Sequence, residues 1–178
     1  MNNKERTEGN RERGRRISES GNKLENWFES YLLRHMEEYE GTKAEFLEGI
    51  QGLTKPCFMR SVNLGLSEYG AYKEKKGNRG GMQYADFVIG GLEGFPDGLR
   101  VECKRQDSVG SADEKLNYTV ANIERAGVPA WIGWVGDGWK DGAMARTRAQ
   151  VGKTTSLIGV HHMEVVKEEL VKLLHKKS

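Results

Sequence analysis

Residues 84–106 spell YADFVIGGLEGFPDGLRVECKRQ, and the organisation of the chain follows from this stretch. Ala85 to Ile89 is a short apolar strand stopped by Gly90 and Gly91. Leu99 to Lys104 is a second, and Gly94, Pro96, Asp97 and Gly98 between them are turn formers. Strands joined by so short a link pair antiparallel. With the turn centred near Gly94, Asp86 falls opposite Glu102, and directly opposed residues point to one sheet face with Cβ atoms roughly 5 Å apart. Alternation puts Lys104 and Gln106 on the face of Glu102 and turns Val101 and Cys103 the other way with Phe87 and Ile89. The expectation is one chemical face and one core face.

Opposed like charges destabilise a strand pair, so something cationic is expected between Asp86 and Glu102. Oxygen-only ligands on a rigid sheet suit Mg²⁺, which takes one or two carboxylates and completes its shell with water and phosphate oxygens. Such an ion lowers the pKa of a bound water and stabilises charge growing on a phosphate. Lys104, beside the acids, would orient the water or offset that charge. The competing reading is an exposed-strand charge pair, Glu102 with Lys104, and Asp86 as a strand-end polar residue. Hairpin register and the apolar alternate positions favour a site.

The pattern Asp86, Glu102-x-Lys104, followed by a helix, resembles the PD-(D/E)XK nuclease superfamily, which includes restriction endonucleases, recombination exonucleases and Holliday-junction resolvases. The resemblance implies an α/β fold, a restriction-endonuclease-like core with a central mixed sheet flanked by helices in the order αβββαβ. It implies that Asp86 and Glu102 hold the metal and that Lys104 assists the water. Ala85 stands where the motif often has proline, and the literal Pro96-Asp97 belongs to the turn. The run ECKRQDSVGSADEKL resembles members in which ExKxQ leads into a Gly-Ser helix start, making Gln106 a further candidate catalytic residue. Ser111 with Glu114 spells a capping box for that helix, which would carry Leu116, Val120 and Ile123 on one face and Lys115 toward a phosphate.

Upstream, an amphipathic helix from Gly21 carries Leu24, Trp27, Phe28, Tyr31 and Leu32 on one stripe, bordered by Glu25. Its G-x-x-x-E spelling resembles the first helix of family branches, resolvases among them, whose glutamate completes the metal site, so Glu25 is a candidate ligand, with Glu29 further round. Thr42 to Ile50 is expected to form a second helix and Cys57 to Leu64 the first strand. Ala130 to Val135 is a buried strand, and the glycine-rich GDGWKDGAMAR after it places Trp139 as a packing residue under a loop. Leu157 to Val160 is a last strand, and Met163, Val166, Leu170, Leu173 and Leu174 mark a closing helix. This alternation argues for α/β layering. Gly152-Lys153-Thr154 lacks the upstream glycine of a phosphate loop, and His161-His162 has no partner at zinc spacing.

At 178 residues the chain has room for one core, expected over 21–178, with 1–20 a charged, flexible arm. No stretch is apolar enough to span a membrane, and two cysteines make no disulfide framework, so a cytoplasmic setting is expected. A net charge of +2 does not by itself point to nucleic acid. Its distribution says more: Lys73, Lys75, Lys76 and Arg79 form a glycine-flanked basic loop just before the Asp86 strand, placed to run along a phosphate backbone, and Arg11, Arg13, Arg15 and Arg16 a cluster in the arm, with solvated surface charge the competing reading for both. The combined expectation is a Mg²⁺-dependent endonuclease, with Mn²⁺ able to substitute, that hydrolyses phosphodiesters in double-stranded DNA. Cutting both strands needs two sites, so a homodimer or higher homo-oligomer is expected. The resemblance implies a bacterial or phage-encoded enzyme of restriction, homing or phage type. Its rivals are a junction resolvase acting on branched DNA and a non-catalytic DNA-binding module on the same fold.

Overall fold

Six strands form one mixed sheet, in sequence order across its width, in a computed structural model that describes residues 22–67, 81–108, 112–140 and 142–176. Helix α1 spans residues 22–32. It is followed by β1 (Glu37–Glu38), α2 (Lys43–Gly49), a 3-10 turn (Ile50–Gly52), β2 (Cys57–Leu66), β3 (Met82–Gly90) and β4 (Leu99–Arg105). Then come α3 (Ala112–Ala126), β5 (Ala130–Val135), α4 (Ala143–Arg148), β6 (Leu157–His162) and α5 (Met163–Leu174). The chain is α/β, and the αβββαβ order is present as α1, β2, β3, β4, α3 and β5, with β1 and β6 as added edge strands. The arm expected at 1–20 and the basic loop of Lys73, Lys75, Lys76 and Arg79 lie outside the described residues, as does Ser111.

The hairpin register is as the sequence implies. Phe87 pairs with Val101, Val88 with Arg100 and Ile89 with Leu99, antiparallel, and one more step sets Asp86 opposite Glu102. The paired ladder stops at Phe87, although β3 continues beside β2 as far as Met82. The sheet forks there. β4 pairs β5, and β5 pairs β6, in parallel, which requires crossover segments lying on a sheet face. Gly91, at φ +69°, shows why the connection after β3 needs glycine: a Cβ there would lie 2.2 Å from the carbonyl oxygen of Lys55.

Both faces of the sheet are therefore covered, which corrects the expectation of one core face and one chemical face. On one side, α1 and α5 bury Leu24, Phe28, Leu32, Met163 and Val166 against Phe87, Ile89, Val101 and Cys103. On the other, α3 and α4 bury Leu116, Ile123 and Met144 against Ala130, Ile132 and Leu157. A crossover helix between parallel strands has to bury its apolar stripe on the sheet, so α3 roofs part of the face that carries Arg100 and Glu102. A third cluster joins Phe46 and Ile50 to Met59, Val62 and Val88. Its helix α2 starts from a capping box, with Thr42 accepting from Glu45 N and Glu45 from Thr42 N.

Helix α1 docks through Phe28, fully buried and edge-on to Phe87 with ring centroids 5.3 Å apart. Phe87 neighbours Asp86, so this contact fixes α1 against the strand that carries the candidate ligand. Trp27 departs from the expected stripe. It is 40 % exposed, with Lys167 Nζ 4.6 Å from its ring centroid, because the neighbouring Leu24, Phe28 and Tyr31 already fill the interface. Phe28→Ala is expected to cost about 3–5 kcal/mol in a urea unfolding curve, the usual cost of emptying a buried aromatic site. Trp27→Ala is expected to cost less than about 1 kcal/mol.

Candidate active site

At the fork, a side chain takes over from the backbone. Where β3 and β4 stop exchanging main-chain bonds, Asp86 Oδ2 accepts the Cys103 amide at 2.7 Å. This satisfies a strand N–H left without a ladder partner and points the carboxylate across to β4. Lys104 Nζ then lies 3.3 Å from Asp86 Oδ2 and 2.7 Å from Glu102 Oε2. The cation that the opposed acids demand is therefore Lys104 itself. Glu102 is held from its other side as well, by Arg100 Nε at 2.8 Å from Oε1.

Arg100 is a participant that the sequence reading overlooked. It is 2 % exposed, and its guanidinium also donates to Gln83 Oε1 at 3.3 Å and to the Asn122 carbonyl of α3 at 3.4 Å. Strand parity puts position 100 on the face of 102 and 104, but its burial comes from α3 and has no local signal. Arg60 is a second such residue. From β2, where it pairs with Phe87, it reaches Glu25 Oε2 at 2.9 Å and Glu29 Oε2 at 2.7 Å on α1. The i, i+4 acids of that helix face one cation on the sheet. Glu25 is thus placed beside the site rather than within the Asp86–Lys104–Glu102 chain, though close enough for its charge to act on Asp86.

The electrostatics differ sharply between the two acids. Burial, with the charge of Glu102 added, pushes Asp86 up to about 6 against the opposing pull of Lys104. Burial also acts upward on Glu102, but Lys104 and Arg100 together hold it below the usual carboxylate range. Burial opposes charge on Lys104, yet Asp86 and Glu102 override it and raise the ammonium well above its ordinary value. The contacts to both acids favour the ammonium form of Lys104. Two acids that share a site but are shifted in opposite directions are a familiar mark of a functional constellation.

Gln106 lies beyond β4, buried, with its side-chain amide donating to the Gly138 carbonyl. Its own carbonyl accepts Gly138 N at 2.9 Å. It thus fastens the glycine-rich loop after β5, where a Cβ on Gly138 would meet the backbone of Ser108 at 2.3 Å. Trp139 packs at that loop with its indole N–H on the Val135 carbonyl. Asp97 of the turn accepts from Gln51 Nε2, away from the site. Lys115 is exposed on α3 and lines a cleft of about 460 Å³ together with Glu102 and Lys104.

Among the described residues, no three His, Cys, Asp or Glu side chains gather closely enough to hold a metal ion between them. The donor set is two carboxylates, which is what Mg²⁺ accepts when water and substrate oxygens supply the remainder. Burial is what raises Asp86 most, and a divalent cation beside its carboxylate would offset that cost in addition to Lys104. The residues present fit such an ion.

The chain matches the family model of the PD-(D/E)XK nuclease superfamily domain over residues 17–177. It belongs to that superfamily. Neither a curated protein nor a solved structure gives a significant match. The fold is that of a nuclease family whose members generally use divalent metals and act on nucleic acid. Among the described residues, no helix is long and apolar enough to cross a membrane.

Proposed function

We propose that the protein is a Mg²⁺-dependent DNA endonuclease, hydrolysing internal phosphodiesters of double-stranded DNA at Asp86, Glu102 and Lys104. The observation that carries this reading is the chain of contacts from Cys103 N through Asp86 and Lys104 to Glu102 and Arg100, built where the sheet forks. Asp86 and Glu102 would hold the ion, with Mn²⁺ an acceptable replacement. When bound, the ion supplies an activated water and neutralises charge on the phosphate.

The protein's own groups do the rest. Lys104 Nζ donates to the attacking oxygen or to a non-bridging phosphate oxygen, and a preoriented donor of this kind stabilises the charge that develops in the transition state. Arg100 fixes Glu102 Oε1, so that Oε2 alone faces Lys104 and the cleft. Arg60 restrains Glu25 and Glu29 at the rim. Lys115, and the basic loop of Lys73, Lys75, Lys76 and Arg79, are assigned to the phosphate backbone. Cutting both strands of a duplex calls for two copies of this site, hence a homodimer or higher assembly.

The test is incubation with supercoiled plasmid, linear duplex and a four-way junction, in Mg²⁺ and in EDTA. Nicked or linear plasmid in Mg²⁺, abolished by EDTA, is the expected result. Cleavage that is indifferent to EDTA, or intact substrate in all three cases, would sink the proposal.

A further inference from the structure

The break in the β3–β4 ladder has a counterpart on β2, the strand on the other side of β3. Among the described residues, Ser61 is the only non-glycine residue with a positive φ, at 54°. It sits opposite Asp86. Arg60 pairs with Phe87 and Val62 with Ala85, leaving one residue on each strand between the pairs, so the register is kept. The faces are not. Phe87 belongs to the core under α1, and Arg60 lies on the same side, its guanidinium carbon 5.8 Å from the Phe87 ring centroid. Val62 and Ala85, each only two residues away, are buried with Met59 and Val88 in the cluster under α2. Alternation keeps residues two apart on one face, so both strands change face at the same step. A run of extended residues cannot do this, and the left-handed backbone of Ser61 supplies the odd turn. Its carbonyl is taken by Lys43 Nζ of α2 at 2.8 Å.

We propose that Ser61 is a positioning residue for both acids of the site: its left-handed backbone turns β2, and β3 with it, away from β4, which opens the fork at Asp86 and brings Gln83 to Arg100. The two consequences can be followed along β3. Beyond Phe87 the strand keeps to β2 rather than β4, which leaves the Cys103 amide to the Asp86 carboxylate at 2.7 Å. Without the step, Gln83 would share the parity of Phe87 and face α1. With it, Gln83 Oε1 accepts from the Arg100 guanidinium at 3.3 Å, and Arg100 in turn holds Glu102. A residue held by its surroundings in a sparsely populated conformation is a recurrent feature of functional sites. The bearing of Ser61 on cleavage rests on the nuclease reading above, whereas its hold on Asp86 does not.

The test separates the backbone of Ser61 from its hydroxyl. Glycine and asparagine tolerate the left-handed region, whereas threonine keeps a hydroxyl but branches at Cβ and disfavours it. Amide hydrogen exchange of the full-length protein in EDTA, read by NMR, reports the Asp86–Cys103 contact without metal or DNA. Ser61→Thr is expected to lose about tenfold of the Cys103 amide protection relative to the core amide of Ile132, while Ser61→Gly and Ser61→Asn stay within about threefold of wild type. In Mg²⁺, plasmid cleavage should follow the same order, with kcat falling about tenfold or more in Ser61→Thr and KM moving less than about threefold. Loss of Cys103 protection in Ser61→Gly, or its retention in a folded Ser61→Thr, would overturn the proposal. Should Ser61→Thr fail to fold, the glycine and asparagine variants still decide, because loss of protection in either one overturns it and retention in both upholds it. A wild-type protein that shows this exchange pattern but cuts no DNA would count against the nuclease reading alone.

Discussion

Glu102→Gln is expected to lower Mg²⁺-dependent plasmid cleavage by at least about 10³-fold, the scale of losing a group that acts directly on the transition-state charge. The same substitution is expected to destabilise the protein. Glu102 is 4 % exposed and lies between Arg100, itself 2 % exposed, and Lys104. Neutralising it leaves Arg100 as a buried cation whose remaining partners are neutral, and breaking a buried pair from one side typically costs about 3–5 kcal/mol. The ionised wild-type acid stabilises the fold above its unfolded pKa of 4.5, and that contribution is lost as pH falls through its lower folded value. A urea midpoint for Glu102→Gln equal to that of wild type at neutral pH would mean that the Arg100 contact is absent in solution. Undiminished cleavage by a folded variant would remove Glu102 from the site.

The parts of this arrangement that follow simple rules are the parts legible in the chain. Two apolar runs and a glycine-rich turn set the β3–β4 register, and strict alternation then places Asp86, Glu102 and Lys104 together without knowledge of any distant residue. The closing helix and the buried β5 declare themselves by periodicity in the same way. Arg100 and Arg60 do not, because an arginine in a strand looks like a solvated charge until its tertiary neighbours are known. Arg100 is buried only because α3 crosses over it, and Arg60 is partnered only because Phe28 docks α1 where Glu25 and Glu29 overhang β2. The motif marks Gln106 as a catalytic candidate, and its location depends on the Gly136–Gly138 loop packing against its backbone, a long-range close approach that no local pattern encodes. Two opposed acids on neighbouring strands require a cation between them. Lys104 fulfils that requirement before any metal is considered.

Asp86→Asn is expected to abolish cleavage as thoroughly as Glu102→Gln while moving stability in the opposite direction. With its pKa raised from 3.8 to about 6 in the fold, Asp86 favours the folded state when protonated. That contribution is complete below the unfolded value and is lost as pH rises through about 6. At pH 7 the ionised acid therefore costs the metal-free protein on the order of 2–3 kcal/mol, at about 1.4 kcal/mol per unit of pKa. Asparagine resembles the protonated acid, since its carbonyl still accepts from Cys103 N and Lys104 keeps Glu102. The variant should melt several degrees above wild type at pH 7 in EDTA, and the gap should close as pH is lowered to 4. Adding Mg²⁺ should raise the wild-type melting temperature toward that of the variant and move the variant much less, because the variant keeps only one of the two carboxylates proposed to hold the cation. A variant that melts below wild type at pH 7, or a gap that does not vary between pH 4 and 7, would show that Asp86 is not held under the electrostatic strain a metal is proposed to relieve. The two substitutions flank one lysine on adjacent strands. Equal losses of activity with stability changes of opposite sign would separate a site built around missing positive charge from an ordinary surface ion pair, where both changes would cost about 0–1 kcal/mol.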